Sequence, residues 1–300
     1  MCRMFGFRSA IPGRAHRSLL EAENALADQS QRHPDGWGIG WFVEDEAYVI
    51  KSGNAAHTCT RFEQASHRLS SHTFLVHVRR ATVGIVDPLN AHPFRFGRWL
   101  FCHNGTLFSF EEGLKDWLLE RTNAGLHATI LGDTDSEHLF YWLLTRLEAT
   151  GIDPVGRNPS DATAVAHIVR DALLELDEEA SRRGLERPCV NILLSDGRIL
   201  VGHRAGLPLF LSTQKFHCAD FDTCPATKRC MEVQRPTSGL VNHLLLASEP
   251  IGADENRWED VPDGTTIALS EDFHLLEIGP PDQWVAPILP ERFRLPPLPQ

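Results

Sequence analysis

At 300 residues, with 42% hydrophobic and 23% charged residues, the chain has the size and composition of a globular protein with a substantial core. Its 40 acidic residues against 29 basic ones give a formal net charge of -11, which disfavours nucleic acid and anionic membrane surfaces as partners. No apolar run approaches the roughly 18–20 residues of a membrane span, the N-terminus lacks the basic-then-apolar pattern of a signal peptide, and the seven scattered cysteines point to a reducing, cytoplasmic setting rather than a disulfide framework.

The chain opens Met1-Cys2-Arg3-Met4-Phe5-Gly6-Phe7. Residues 2–9 read as a short strand with Phe5 and Phe7 on one face. Removal of Met1 would leave Cys2 with both a thiol, of ordinary pKa about 8.5, and a free α-amine at about 7.7–8.0. Such an amine can take the thiol proton during attack, as in the N-terminal threonine hydrolases. Taken alone, the heptapeptide reads sooner as a strand carrying an incidental cysteine.

Ile11-Pro12-Gly13 is a turn signal, and residues 14–31 have helical spacing at Leu19, Leu20, Ala22, Leu26 and Ala27. Asp35-Gly36-Trp37-Gly38-Ile39-Gly40 sets glycines between aromatics, a mark of close backbone approach. A hairpin over 38–52 turns at Glu44-Asp45-Glu46, and 72–78 is an apolar strand running into Arg79-Arg80-Ala81-Thr82-Val83-Gly84. Residues 88–94 are loop. A buried strand at 99–102 ends at His103-Asn104-Gly105, where Asn-Gly reads as a turn. Helices are expected over 111–121, 134–147 and 161–182. Thr134-Asp135-Ser136-Glu137 fits a capping box. Short strands then follow at 189–194, 199–203, 207–211, 244–247, 265–269 and 274–278, and a Pro-rich tail from about 280 extends over the surface. No internal repeat or long linker interrupts the chain, so residues 1–300 read as a single α+β layered domain.

Cys2, Arg79 to Gly84, Asn90-Ala91-His92-Pro93, His103-Asn104-Gly105 and Thr134 to Glu137 stand in an order that resembles the class II glutamine amidotransferases, the Cys-type branch of the N-terminal nucleophile (Ntn) hydrolases. Asp35-Gly36-Trp37-Gly38, Leu193 to Arg198 and Ala247-Ser248-Glu249-Pro250 are similar in particular to the stand-alone YafJ-type members. The resemblance is strong over residues 2–137 and thinner from 189 onward.

It implies the four-layer αββα sandwich of the Ntn hydrolases, with Cys2 as nucleophile toward the γ-carboxamide of glutamine or another γ-glutamyl amide. The Asn104 side chain and the Gly105 N–H would stabilise the oxyanion, and glycine at 105 would let the backbone approach the substrate. Arg79 would take the substrate α-carboxylate, Thr82 would add a hydroxyl, and Asp135 would take the α-ammonium. Arg80 is read as a structural or rim residue. His92 and His103 lie beside the motifs but are not needed as bases if the amine serves. Glu249 and Trp258 are read as supporting or packing residues.

No cofactor or metal is called for. Cys218, Cys224 and Cys230 have five residues between successive cysteines, wider than most zinc spacings, and read as a cysteine-containing surface loop. The expected partner is glutamine or another γ-glutamyl small molecule, with a separate ammonia-accepting synthase subunit if the ammonia is used. A γ-glutamyl peptide hydrolase like the ergothioneine-pathway enzymes, and a non-catalytic regulatory subunit of the same fold, are the alternatives.

Overall fold

The structure is a computed structural model that describes residues 2–218, 227–232, 235, 237–282, 284–287 and 290. Met1, Cys224 and most of the expected Pro-rich tail lie outside the described residues. In chain order the elements are β1 (Arg3–Gly13), α1 (Leu26–Gln29), β2 (Trp37–Val43), β3 (Glu46–Ser52), α2 (Thr60–Arg68), β4 (Ser71–Val78), β5 (Phe94–Phe96) and β6 (Trp99–Thr106). Next come α3 (Lys115–Glu120), α4 (Ala124–His127), α5 (Asp135–Ala149), α6 (Ala162–Arg182), β7 (Cys189–Ser195), β8 (Leu200–His203) and β9 (Phe210–Lys215). α7 (Thr227–Cys230), β10 (His243–Ala247), β11 (Asn256–Asp260), β12 (Thr266–Leu269) and β13 (Leu275–Ile278) complete the series.

Among the described residues the strands form two antiparallel sheets, ordered β11-β9-β10-β1-β4-β2-β3 and β13-β12-β8-β7-β6-β5. The sheets face each other across a core of Met4, Leu75 and Leu246 from the first and Leu100, Leu193 and Leu200 from the second. α5 and α6 cover the outer face of the second sheet, where Phe140 stacks on Phe101 with centroids 5.2 Å apart. Leu19, Leu26 and Phe62 cover Phe5, Ile39 and Phe74 on the outer face of the first. Each such side chain contributes roughly 1.5–3 kcal/mol by leaving water. The result is the four-layer αββα sandwich.

Glycine spacing in β2 sets how closely the sheets meet. A Cβ on Gly38 would lie 2.1 Å from the His92 carbonyl oxygen, and one on Gly40 would lie 2.7 Å from Leu100. Neither position has room for a side chain.

The fold corrects several local expectations. Ile11-Pro12-Gly13 is not a turn, because β1 continues to Gly13 past a register shift after Arg8 and pairs again with Ser71. The helix expected over 14–31 is broken into a short turn at Arg17–Glu21 and α1, with Asn24 left-handed between them at φ 55°. Asn104-Gly105 is not a turn either. Both residues lie in β6 and pair with Asn191 and Val190 of β7. α2, α4 and β11 appear where no element was expected, and the strand read at 207–211 is β9, placed at Phe210–Lys215.

Candidate active site

Cys2 stands at the head of β1, a central strand of its sheet, and is half-buried. Its thiol donates to the Arg80 carbonyl and accepts from the Arg80 N–H, both at 3.3 Å. The motif around Asp35 holds that segment in place. Asp35 Oδ2 accepts from Ala81 N at 2.9 Å, Asp35 N donates to the Arg79 carbonyl at 3.0 Å, and Arg79 N donates to the Gly36 carbonyl at 2.8 Å. Gly36 sits at φ +130°, a conformation that favours glycine. The Asp35-Gly36 turn therefore fixes the backbone that the thiol touches.

Cys2, Arg79, Thr82, His103, Gly105 and Asp135 line one small pocket of about 20 Å³. That volume holds a water and is far below what a glutamyl group needs. The five motifs thus converge in space, on a small site.

Arg79 is buried, and its guanidinium faces its own loop. Nη1 donates to the Ile85 carbonyl and Nη2 to the Val83 carbonyl, both at 2.8 Å. Asp135, at the first position of α5, accepts from Leu107 N through Oδ2 at 2.9 Å and from Ser136 N through Oδ1 at 2.8 Å. Ser136 Oγ also donates to Oδ1 at 3.1 Å and lies 2.8 Å from His103 Nδ1, so His103 is tied to Asp135 through one hydroxyl. Thr82 Oγ1 is 3.3 Å from Thr106 Oγ1.

The capping box is half made. Thr134 Oγ1 accepts from Glu137 N at 3.2 Å, but the Glu137 carboxylate accepts from Leu131 N at 3.2 Å and Gly132 N at 2.6 Å rather than reaching back to Thr134. It braces the loop before α5. Asn90 bridges from the other side, with Nδ2 donating to Asp133 at 2.9 Å and to the Ile85 carbonyl at 3.2 Å.

Packing inside the sheet by itself requires glycine at 105. A Cβ there would lie 1.9 Å from the Cys189 carbonyl and 2.5 Å from His103 Nε2, so the neighbouring strand already excludes any side chain. Asn104, beside it, is 2% exposed; its Nδ2 donates to Ser248 Oγ at 3.2 Å, and its Oδ1 has no hydrogen-bond partner among the described residues.

Ser248 and Glu249 were not assigned a contact by the sequence. Ser248 joins Asn104 to β1: its Oγ accepts from Met4 N at 3.1 Å and its N–H donates to the Met4 carbonyl at 3.1 Å. Glu249 accepts from Arg3 Nε at 2.7 Å, and Arg3 Nη1 donates to the Cys2 carbonyl at 2.9 Å. Although burial opposes it, the Arg3 charge holds the Glu249 carboxyl below its usual range. The only signal in the sequence was the family-like Ala247 to Pro250 stretch, which carries no local chemistry of its own.

Burial raises the Cys2 thiol pKa, against the opposing pull of the Arg80 backbone and the nearby arginines. The thiol therefore needs a base to react near neutral pH. The His77 and His92 rings are tilted 40° to each other with centroids 4.3 Å apart, and burial holds both well below the ordinary imidazole pKa. His103 is lowered by the same cause. These rings are neutral at pH 7, and none of them hydrogen-bonds the Cys2 sulfur. Among the described residues no three His, Cys, Asp or Glu side chains form a set that could hold a metal, and no helix is long and apolar enough to cross a membrane.

The family model for class II glutamine amidotransferases matches residues 1–281. The chain is 25% identical to DUG3 of Saccharomyces cerevisiae over 306 residues, covering 92% of this chain and 84% of that protein. It is 26% identical to YafJ of Escherichia coli over 274 residues, covering 88% and 95%. A shorter stretch of 119 residues, 36% of this chain and 50% of the relative, is 35% identical to the gamma-glutamyl-hercynylcysteine sulfoxide hydrolase of Mycobacterium tuberculosis. A glutamine aminotransferase class-II domain protein from Silicibacter pomeroyi shares the fold, with a TM-score of 0.61 at 18% identity, over 95% of this chain and 99% of that one. The chain belongs to the class II glutamine amidotransferases.

Proposed function

We propose that this class II amidotransferase cleaves the γ-carboxamide of glutamine through a γ-glutamyl thioester on Cys2 and releases ammonia. The observation that carries the reading is the convergence of Cys2, Arg79, Thr82, Gly105 and Asp135 on one pocket, with Asn104 adjacent in β6.

Removal of Met1 frees the Cys2 amine, which accepts the thiol proton as sulfur attacks the carboxamide carbon. The negative charge that develops on the amide oxygen is met by the Asn104 side chain and the Gly105 N–H. The C–S bond forms first and gives a tetrahedral adduct; as that adduct collapses the C–N bond breaks, and the amine passes its proton to the leaving nitrogen, which departs as ammonia. Water then attacks the thioester and restores the thiol and glutamate. With Met1 in place the Cys2 nitrogen is an amide, which has no useful basicity.

Asp135 receives the substrate α-ammonium. Its carboxylate oxygens accept three bonds from the protein, and a carboxylate has about four lone-pair sites, which leaves capacity for a further donor. For Arg79 to hold the α-carboxylate, its guanidinium exchanges the carbonyls of residues 83–85 for the ligand. That exchange moves the loop and enlarges a pocket now too small for substrate. Residues 1–300 serve as one amidotransferase domain in this reading.

A second reading is hydrolysis of a γ-glutamyl peptide or amide with no use of ammonia. It is favoured by the stretch shared with the mycobacterial γ-glutamyl hydrolase. Comparing turnover of glutamine with γ-glutamyl dipeptides, by ammonia against amine release, separates the two. Processed protein that turns over no γ-glutamyl compound overturns both.

A further inference from the structure

Ser248 lies 144 positions from Asn104 in sequence, yet among the described residues its hydroxyl is the group that hydrogen-bonds the Asn104 carboxamide. Two donors point at that oxygen: Met4 N at 3.1 Å and Asn104 Nδ2 at 3.2 Å. Together they use both lone pairs of the hydroxyl. Asn104 Oδ1 meanwhile is buried with no donor facing it. A buried acceptor without a donor is unfavourable, and nitrogen and oxygen of a carboxamide are assigned by the hydrogen-bond network around them.

Rotating the carboxamide by half a turn pairs the oxygen and leaves the amide N–H groups as the unpaired ones. Ser248 then still accepts from Met4 N–H and donates its own proton to Asn104 Oδ1. Nδ2 moves to the position now held by Oδ1, which no protein group fills, with both of its protons available to an incoming oxygen. On the reading that Asn104 is an oxyanion donor, we propose that Ser248 is a positioning residue: its hydroxyl selects the Asn104 rotamer that presents N–H, rather than C=O, to the reacting carbonyl. Because the same hydroxyl is bonded to Met4, it also ties the donor to the strand that carries Cys2, so nucleophile and oxyanion donor share one anchor.

A double-mutant cycle on the processed enzyme tests this. Ser248→Ala lowers kcat by about tenfold or more, less than the 10²–10³ lost with an oxyanion donor itself, while KM stays within about twofold. Ser248→Thr, which keeps the hydroxyl, retains most of kcat. In an Asn104→Ala background Ser248→Ala costs less than about twofold more, because the group it orients is gone. Alkylation of Cys2 by iodoacetamide, which forms no oxyanion, proceeds at the wild-type rate in Ser248→Ala. The proposal is overturned if Ser248→Ala costs the same factor with and without Asn104, or if alkylation slows in step with kcat. Should wild-type protein turn over no γ-glutamyl amide, the amidotransferase reading fails by itself. The contact is then judged by the Asn104 side-chain amide signals in a ¹⁵N-edited spectrum: Ser248→Ala must shift them and Ser248→Thr must not, and unchanged signals in Ser248→Ala overturn it.

Discussion

Cys230 and Cys2 make an instructive pair. The Cys230 sulfur has His243 Nδ1 at 3.5 Å and Asn242 Nδ2 at 3.4 Å, on the wall of a cavity of about 130 Å³ that also exposes Arg14 and Lys215. Among the described residues the Cys2 sulfur hydrogen-bonds only to the backbone of Arg80, in a pocket of about 20 Å³. Judged by its neighbours, Cys230 has the partners of an activated thiol. Burial, however, pushes His243 down to about 3, so the imidazole cannot hold a thiol proton near neutral pH. Cys2 sits where β6, a carboxylate and a guanidinium meet, and in the proposed mechanism its own amine is the base once Met1 leaves. On the proposed mechanism, an imidazole beside a thiol does not by itself mark the reactive cysteine, and what separates the two sites is the set of groups placed to meet the charge of an acyl-transfer transition state.

The contrast can be broken most sharply at the nucleophile itself. Cys2→Ala is expected to abolish turnover. A variant that keeps a residue ahead of Cys2 is expected to lose about 10²–10⁴-fold in kcat/KM, the usual contribution of a general base. Steady-state assays of ammonia release check both, and residual activity within tenfold of wild type in either would contradict the assignment. Asn104→Ala should cost about 10²–10³-fold in kcat with KM little changed. Asp135→Asn removes the charge that meets the substrate ammonium and should cost about 10–100-fold in kcat/KM, mainly through KM. An analogue lacking the α-amine should not distinguish that variant from wild type.

Two smaller effects sharpen the same comparison. His33 is lowered to about 4, and His203 and His243 to about 3, by burial. The unfolded chain binds protons at these groups from about pH 6.5 downward, whereas the folded chain does not until much lower pH. Stability is therefore present above the unfolded pKa and is lost as pH falls from about 6.5 toward 4. Thermal midpoints measured from pH 7 to pH 5 should fall steadily, and a flat profile would mean these rings are protonated or exposed in the folded state. Cys230→Ser should leave kcat/KM within about twofold, despite the better-furnished surroundings of that thiol.

The motifs were legible because each pairs a residue type with a local backbone demand. Asp35-Gly36 is a turn whose carboxylate caps a neighbouring segment, and the glycines of β2 mark where the sheets approach. The helix capped by Thr134 was legible for the same reason. What escaped was set by partners distant in sequence. Asn104-Gly105 carries a strong turn signal, but the Cys189 carbonyl approaches so closely that only a glycine strand fits there. Residues 14–31 have helical spacing, yet the chain turns at Asn24. That Arg79 also donates to the carbonyls of its own loop is not legible in the motif, because those partners are set by how residues 83–85 fold back. Ser248 gave no chemical signal at all, since its meaning comes from Met4 and Asn104.

Intact-mass measurement of the purified protein before and after treatment with 6-diazo-5-oxo-L-norleucine, a glutamine-analogue label, addresses the chemistry of Cys2 most directly. Thioester chemistry on a processed N-terminus predicts a chain lacking Met1 that gains one adduct, with peptide mapping placing it on Cys2. A chain that retains Met1 and takes no label, or one labelled at Cys230, would contradict it.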